Sequence, residues 1–283
     1  MRYYILSLAL WVLPLCLSAQ AYKIYDTEKQ ALCTIQDIVQ SVATSDVLFF
    51  GEQHNDSIAH VLQEEIYKAL LNEYETVALS LEMFETDGQL VLEEYLQDFI
   101  TEGKMVNDAN AWDNYATAYR PLVERARAKK QAVIAANAPR RYVNMVSRKG
   151  LAALNDLPKS SKSYLPPLPI RTDDADYLKR FQEIMGGVGH GSMSDNFFHA
   201  QCLWDASMGY QIFKHWKKNK KDLIFHLNGR FHTDYQQGTV TQLKGYKKKI
   251  QAKNISCFPA EDFDNPDWTI YAPQGNFIIL TKG

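Results

Sequence analysis

Cysteine is scarce and scattered. Cys16, Cys33, Cys202 and Cys257 form no Cys-x-x-Cys or Cys-x-x-Cys-His pair. That excludes a zinc cluster, a thioredoxin-type redox motif and covalent c-type haem attachment. An excess of positive charge is also lacking. The formal net charge is −2, so no basic face for nucleic acid is expected. The runs Lys217–Lys221 and Lys247–Lys249 read as solvated helix ends or loops. There is no Gly-x-Ser-x-Gly elbow of a serine hydrolase. Gly186–Gly191 is glycine-rich, but it follows no strand and precedes no Lys-Ser/Thr, so it is neither a phosphate loop nor a dinucleotide fingerprint. Internal repeats and low-complexity segments are missing. Beyond the first residues, no apolar run is long enough to cross a bilayer.

What is present begins with a start typical of export. Arg2 is followed by an apolar stretch from Tyr3 to Leu17 and by small residues at Ala19-Gln20-Ala21. Residues 1–21 are therefore expected to be a signal peptide and 22–283 the mature domain. Cys16 leaves lipoprotein cleavage open, although Leu15 is larger than the residue usually found before such a cysteine. The expected location is periplasmic or outer-membrane-associated. The remaining cysteines read as small buried hydrophobes.

Hydrophobic residues make up 46% of the chain and charged residues 23%, a balance that suits one globular domain. Short apolar runs at Asp46–Phe50, Thr76–Leu81, Gln131–Ala136, Asp222–Leu227 and Phe277–Leu280 read as buried strands. Between them lie helical stripes. From Asp56, which can cap a helix start as Ser57 can, Ile58, Val61, Leu62, Ile66, Ala69 and Leu70 share one face. From Asn110, Trp112 to Ala126 read as one long aromatic stripe, most simply core. The alternation implies an α/β domain with a mostly parallel sheet flanked by helices. Residues 157–193, rich first in proline and then in glycine, read as an inserted helical lid or a surface excursion.

In such sheets ligands bind beyond the carboxyl ends of the strands. Four successive strand ends carry polar groups: Gly51-Glu52-Gln53-His54, then Glu82 to Glu85, then Asn137, then Gly229-Arg230-Phe231-His232. The two Gly-x-x-His units repeat one arrangement, in which glycine permits a tight strand exit. On the helix from Asp195 to Trp216, Gln201 and Asp205 fall within an apolar stripe. A buried Asp205 needs a partner; Arg230 or a metal would serve, or a structural pairing with Arg125, Arg127 or Arg140.

In order along the chain, Gly51–His54 with His60, Leu81–Phe84 with Gln89, Trp112, Tyr119-Arg-Pro121, Ala135–Arg140, Gly150, Gln201–Asp205–Met208 and Gly229–His232 form a series. It resembles the ChaN-like haem-binding family, in a superfamily with the erythromycin-esterase-like and Tiki proteins. The resemblance implies an exported protein of iron or haem acquisition. It also implies haem as ligand, a homodimer enclosing two stacked haems, and an outer-membrane haem receptor as partner. Iron would be held by a tyrosine, with a histidine from the partner subunit. Tyr164, Tyr177 and His190 are the candidates in the insert, beside His54, Asn137, Asp205, Arg230 and His232 at the strand ends. The other branch of the superfamily implies hydrolysis. There Glu52, His54, Glu82 and His232 would be catalytic or would hold a divalent metal.

Overall fold

A computed structural model of the chain describes residues 21–185 and 192–283. Residues 1–20, which carry most of the expected signal peptide, and His190 lie outside the described residues. Eight strands form one sheet: β1 (Tyr22–Asp26), β2 (Ala31–Leu32), β3 (Val47–Glu52), β4 (Val77–Glu85), β5 (Val133–Asn137), β6 (Leu223–Gly229), β7 (Ala252–Pro259) and β8 (Phe277–Thr281). Their order is β2-β1-β8-β7-β3-β6-β4-β5. The strands from β8 to β5 run parallel, and β1 adds an antiparallel edge. The expected α/β class with a mostly parallel sheet is the class observed.

Alternation along β3 explains the layering. Val47 and Phe49 face one side and Leu48 and Phe50 the other. The first side packs on α9 (Ser192–Lys218) and α10 (Thr239–Tyr246) through Ile212, Val240 and Leu243. The second packs on α1 (Ile35–Ser41), α2 (Ser57–Glu73), α3 (Gln89–Leu96), α4 (Glu102–Asp108) and α5 (Arg120–Ala128). Helix α2 starts where its sequence says: Asp56 accepts from the backbone of Ile58 and Ala59. Val61, expected on its buried face, is instead exposed. Gln89 closes the open edge of β5 as a strand would. Its amide donates to Val133 O (3.0 Å) and accepts from Ala135 N (2.7 Å).

Two expectations change. The stripe from Asn110 to Ala126 is not one helix. Asn110 has a positive φ of 51°. A π-type turn then spans Tyr115–Tyr119, and α5 starts afresh at Arg120, with Pro121 in its first turn. Strand β7 carries no continuous apolar run, because Asn254 and Ser256 are buried on it as hydrogen-bonding groups. The segment after β5 continues through α6 (Arg140–Lys149), α7 (Lys159–Lys162) and α8 (Ala175–Ile184). Leu165, Ile170 and Tyr177 there share an apolar cluster with Val143 of α6 and Leu203 of α9. A last short helix, α11 (Trp268–Tyr271), precedes β8.

Candidate functional site

Because β3, β4, β5 and β6 are parallel, their carboxyl ends share one edge, and both Gly-x-x-His units lie there. Strand parity sends their carboxylates to opposite faces. Glu52 follows Leu48 and Phe50 onto the α2 side. Glu82 follows Ala78 and Ser80 onto the α9 side.

Glu52 is buried and held by four donors. Tyr119 donates its hydroxyl to Oε1 at 2.5 Å, and His54 Nδ1 meets the same oxygen at 2.7 Å. The Gln63 amide donates to Oε2, which His60 Nδ1 approaches to 3.4 Å. Burial alone would raise the carboxyl pKa. The bonds from His54, His60, Tyr119 and Gln63 override it and hold the pKa down at about 2. The π-type turn is what delivers Tyr119 to this carboxylate. His60 Nε2 lies 3.1 Å from His54 O and so fastens the loop. His54 itself is exposed, its ring edge against Trp112. Partial desolvation works against its charge, but Glu52 and Glu82 raise its pKa above the ordinary histidine value.

On the α9 face His232 is buried. Its Nδ1 lies 2.8 Å from Asp205 Oδ1, and its Nε2 lies 3.6 Å from Glu82 Oε1. Burial would lower its pKa, yet Glu82 and Asp205 push it up to about 9. Asp205 also accepts from Tyr177 (2.8 Å) and Thr239 (2.9 Å), and the Gln201 amide lies 3.0 Å from the Tyr177 hydroxyl. Asp205 therefore finds its partners in His232, Tyr177 and Thr239, not in Arg230. Arg230 turns away to Asp234 at 2.8 Å and over the Phe258 ring. Arg125, Arg127 and Arg140 pair with Glu64, Asp98 and Glu85.

The two units interlock. The Gly229 backbone N–H donates to Glu82 at 2.7 Å. A Cβ on Gly229 would lie 2.7 Å from His54 Nε2, and a Cβ on Gly51 would lie 2.8 Å from Arg230 Cα. Each glycine makes room for the other unit, which is the close approach its residue type permits.

Of the remaining expected residues, Asn137 is buried at the end of β5, where its side chain accepts from Ala138 N. Tyr177 is 2% exposed and packs between Phe198 and Phe231. It walls the His232 site and offers no free phenol. Tyr164 is 37% exposed and sits on the edge, tied by Thr86, which donates to its carbonyl. Among the described residues, no three histidine, cysteine or carboxylate side chains group to hold a metal ion. Glu52, His54, Glu82 and His232 are drawn together, but as two hydrogen-bonded sets. Sequence reasoning missed three residues. Tyr119 entered only as part of the aromatic stripe and of the resemblance, not as a site residue. His226, on β6 below the edge, is wholly buried against Ser80, and burial lowers its pKa to about 3. Tyr235, just past His232, is 43% exposed with a positive φ of 60° and Arg180 over its ring. A left-handed tyrosine leaves no mark in sequence, though its nearness to Gly229–His232 could have drawn attention.

Chemically, this edge presents an imidazole whose Nδ1 is fixed by a buried carboxylate. Its Nε2 makes no hydrogen bond among the described residues, so it can accept a proton or bind a metal atom. A second, charged imidazole lies beneath.

Comparison with known proteins follows this geometry. The family model described as haem-binding uptake, Tiki superfamily, ChaN matches residues 38–243. The ChaN structure of Campylobacter jejuni, solved with cofacial haem, aligns with a TM-score of 0.71 at 16% identity. It covers 94% of this chain and 98% of that one. At that identity the shared property is the fold. An erythromycin esterase, EreC, aligns at 11% identity and a TM-score of 0.48, covering 92% of this chain and 83% of its own. No curated protein matches the sequence.

Proposed function

The chain belongs to the ChaN family of haem-binding uptake proteins in the Tiki superfamily, and we propose that it binds haem at the carboxyl edge of its sheet, as an exported protein of iron or haem acquisition. The observation that carries this is the placement of its exposed tyrosines. Among the described residues these are Tyr164 and Tyr235, and both belong to segments at the strand ends: the Tyr164 carbonyl is held by Thr86 just past β4, and Tyr235 lies six residues past the end of β6. Haem supplies a ferric iron, which a phenolate suits. The edge also offers exposed apolar side chains, Leu90 at the start of α3 and Phe197 at the start of α9, against which a porphyrin could pack. The cofacial arrangement named for the Campylobacter protein supports a homodimer on binding, and an outer-membrane receptor is the partner that this role implies.

Titration with ferric haem, followed by absorbance and gel filtration, tests the reading. Saturation with a phenolate-to-iron charge-transfer band and a move to dimer is expected. Tyr164→Phe or Tyr235→Phe should abolish the band. A folded protein with no spectral shift would sink haem binding. A shift that survives both substitutions would sink the tyrosine assignment.

A further inference from the structure

The opposite edge of the sheet carries a different chemistry. Strands β6 and β7 flank β3 and run parallel to it. The residues that enter them therefore meet at one end of the molecule, about 10 Å apart on the usual strand spacing. Lys217–Lys221 precedes β6 and Lys247–Lys249 precedes β7. The Phe213 ring stacks on Tyr246 at 5.7 Å and pins the ends of α9 and α10 together. Seven lysines thus share one surface, and all are exposed. The lysine ion pairs found among the described residues involve Lys29, Lys104 and Lys282, all elsewhere. Two of the acids at this edge are turned inward, while Glu73 and Glu75, which precede β4, stay exposed. Asp46 accepts from Trp216 Nε1 (2.8 Å) and Gln251 N (2.7 Å), and Asp222 is bonded to His215 (2.7 Å). In a chain of net charge −2, positive charge is concentrated here, where seven exposed lysines outnumber the exposed acids.

We propose that this amino-edge surface docks the protein on an anionic phospholipid bilayer. Two features favour lipid over nucleic acid. Both runs are lysine without arginine, so they supply point charges and lack the planar fork that grips single phosphates. Half-buried aromatic rings, Tyr210, Phe213, Trp216 and Tyr246, border the lysines, and the Lys220 ammonium lies over Trp216. Aromatic rings interleaved with flexible ammonium groups suit the headgroup layer, where each kind of side chain keeps its polar tip in water. Docking by this edge leaves the carboxyl edge, one strand length away, facing free solution. The inference does not depend on haem.

The full chain should be sedimented with vesicles of mixed phosphatidylglycerol and phosphatidylcholine, and with pure phosphatidylcholine. The difference between the two cancels any charge-independent contribution of the apolar first residues. Binding is expected to rise with the anionic lipid and fall with salt. The triple variant Lys247→Gln, Lys248→Gln, Lys249→Gln should lose about 100-fold in the anionic-dependent part, on the basis of about five-fold per lysine. Its circular dichroism should be unchanged. Equal binding to both vesicles, or a triple variant that binds like the parent, would overturn the proposal. So would tighter binding to a random DNA duplex than to the anionic vesicles at the same salt.

Discussion

The two Gly-x-x-His units share a motif and a sheet edge but reach opposite ends. In the first, the residue after glycine is Glu52, and this carboxylate within the unit holds His54. The imidazole is oriented yet stays at the surface, its side chain 45% exposed. In the second, the matching residue is Arg230, which leaves for Asp234. His232 must take its carboxylates from β4 and α9, and it is buried between them. One residue inside a repeated motif therefore decides whether its histidine is presented or sealed. The open unit can meet a ligand. The closed unit sets the charge beneath it.

The strongest way to break this contrast is at Asp205. Asp205→Ala removes the acceptor of His232, Tyr177 and Thr239 together. Breaking a buried ion pair from one side costs about 3–5 kcal/mol, so a large fall in the urea midpoint is expected. If the midpoint barely moves, the sealed half of the comparison is wrong. Next come the glycines. Gly51→Ala drives a Cβ against the backbone of Arg230, which cannot swing aside. Gly229→Ala meets the tip of the exposed His54 ring, which can. Gly51→Ala should therefore cost the larger share of stability, about 2–3 kcal/mol as overpacking. Gly229→Ala should act mainly on His54, read by NMR as a displaced ring resonance. Equal destabilisation by both would remove the asymmetry.

Much of this was legible from residues alone. The apolar runs at β3, β4, β5, β6 and β8 mark buried strands, and the helical patterns between them dictate parallel pairing, which brings the motif ends to one edge. Period-2 parity groups Glu52 with Leu48 and Phe50, and Glu82 with Ala78 and Ser80, but only the structure shows that these sets face opposite helix layers. Other parts could not be read. β7 hides because Asn254 and Ser256 are buried for their hydrogen bonds, against the apolar pattern that announces a central strand. The strand order follows from tertiary packing. The stripe from Trp112 to Ala126 fits a continuous helix, and only the π-type turn brings Tyr119 onto Glu52. Asp205 was recognisable as a buried acid, but its partners lie on three other segments, and nothing local favours His232 over Arg230.

Tyr119→Phe tests whether Glu52 orients His54 with help or alone. The substitution removes one buried donor from Oε1 and leaves the His54 bond in place. A loss of about 1–3 kcal/mol is expected, together with a rise in the Glu52 pKa from about 2. An unchanged melting temperature would show that the turn at Tyr115–Tyr119 is held by its apolar neighbours alone.

The smallest effect, that of His54→Ala, is read against a pH profile that separates the two units. His232 has a folded pKa of about 9, against about 6.5 unfolded. Its stabilisation is complete below about pH 6.5 and is lost as pH rises through 9. Glu52, lowered to about 2, and His226, lowered to about 3, act at the other limb. His226 stabilisation is present above about pH 6.5 and Glu52 stabilisation above about pH 4.5, and each is lost as pH falls toward its folded value. Stability should therefore peak near neutrality and decline on both sides. His232→Gln should flatten the alkaline decline selectively. His54→Ala, at a side chain nearly half in water, should cost about 0.5 kcal/mol or less near neutrality, should soften the acid limb by removing one donor that holds Glu52 low, and should change the alkaline limb far less than His232→Gln. If His54→Ala reshaped the alkaline limb as His232→Gln does, the two histidines would titrate as one unit. The division into a presented ring and a sealed one would then fail, and charge would have to be assigned to the pair.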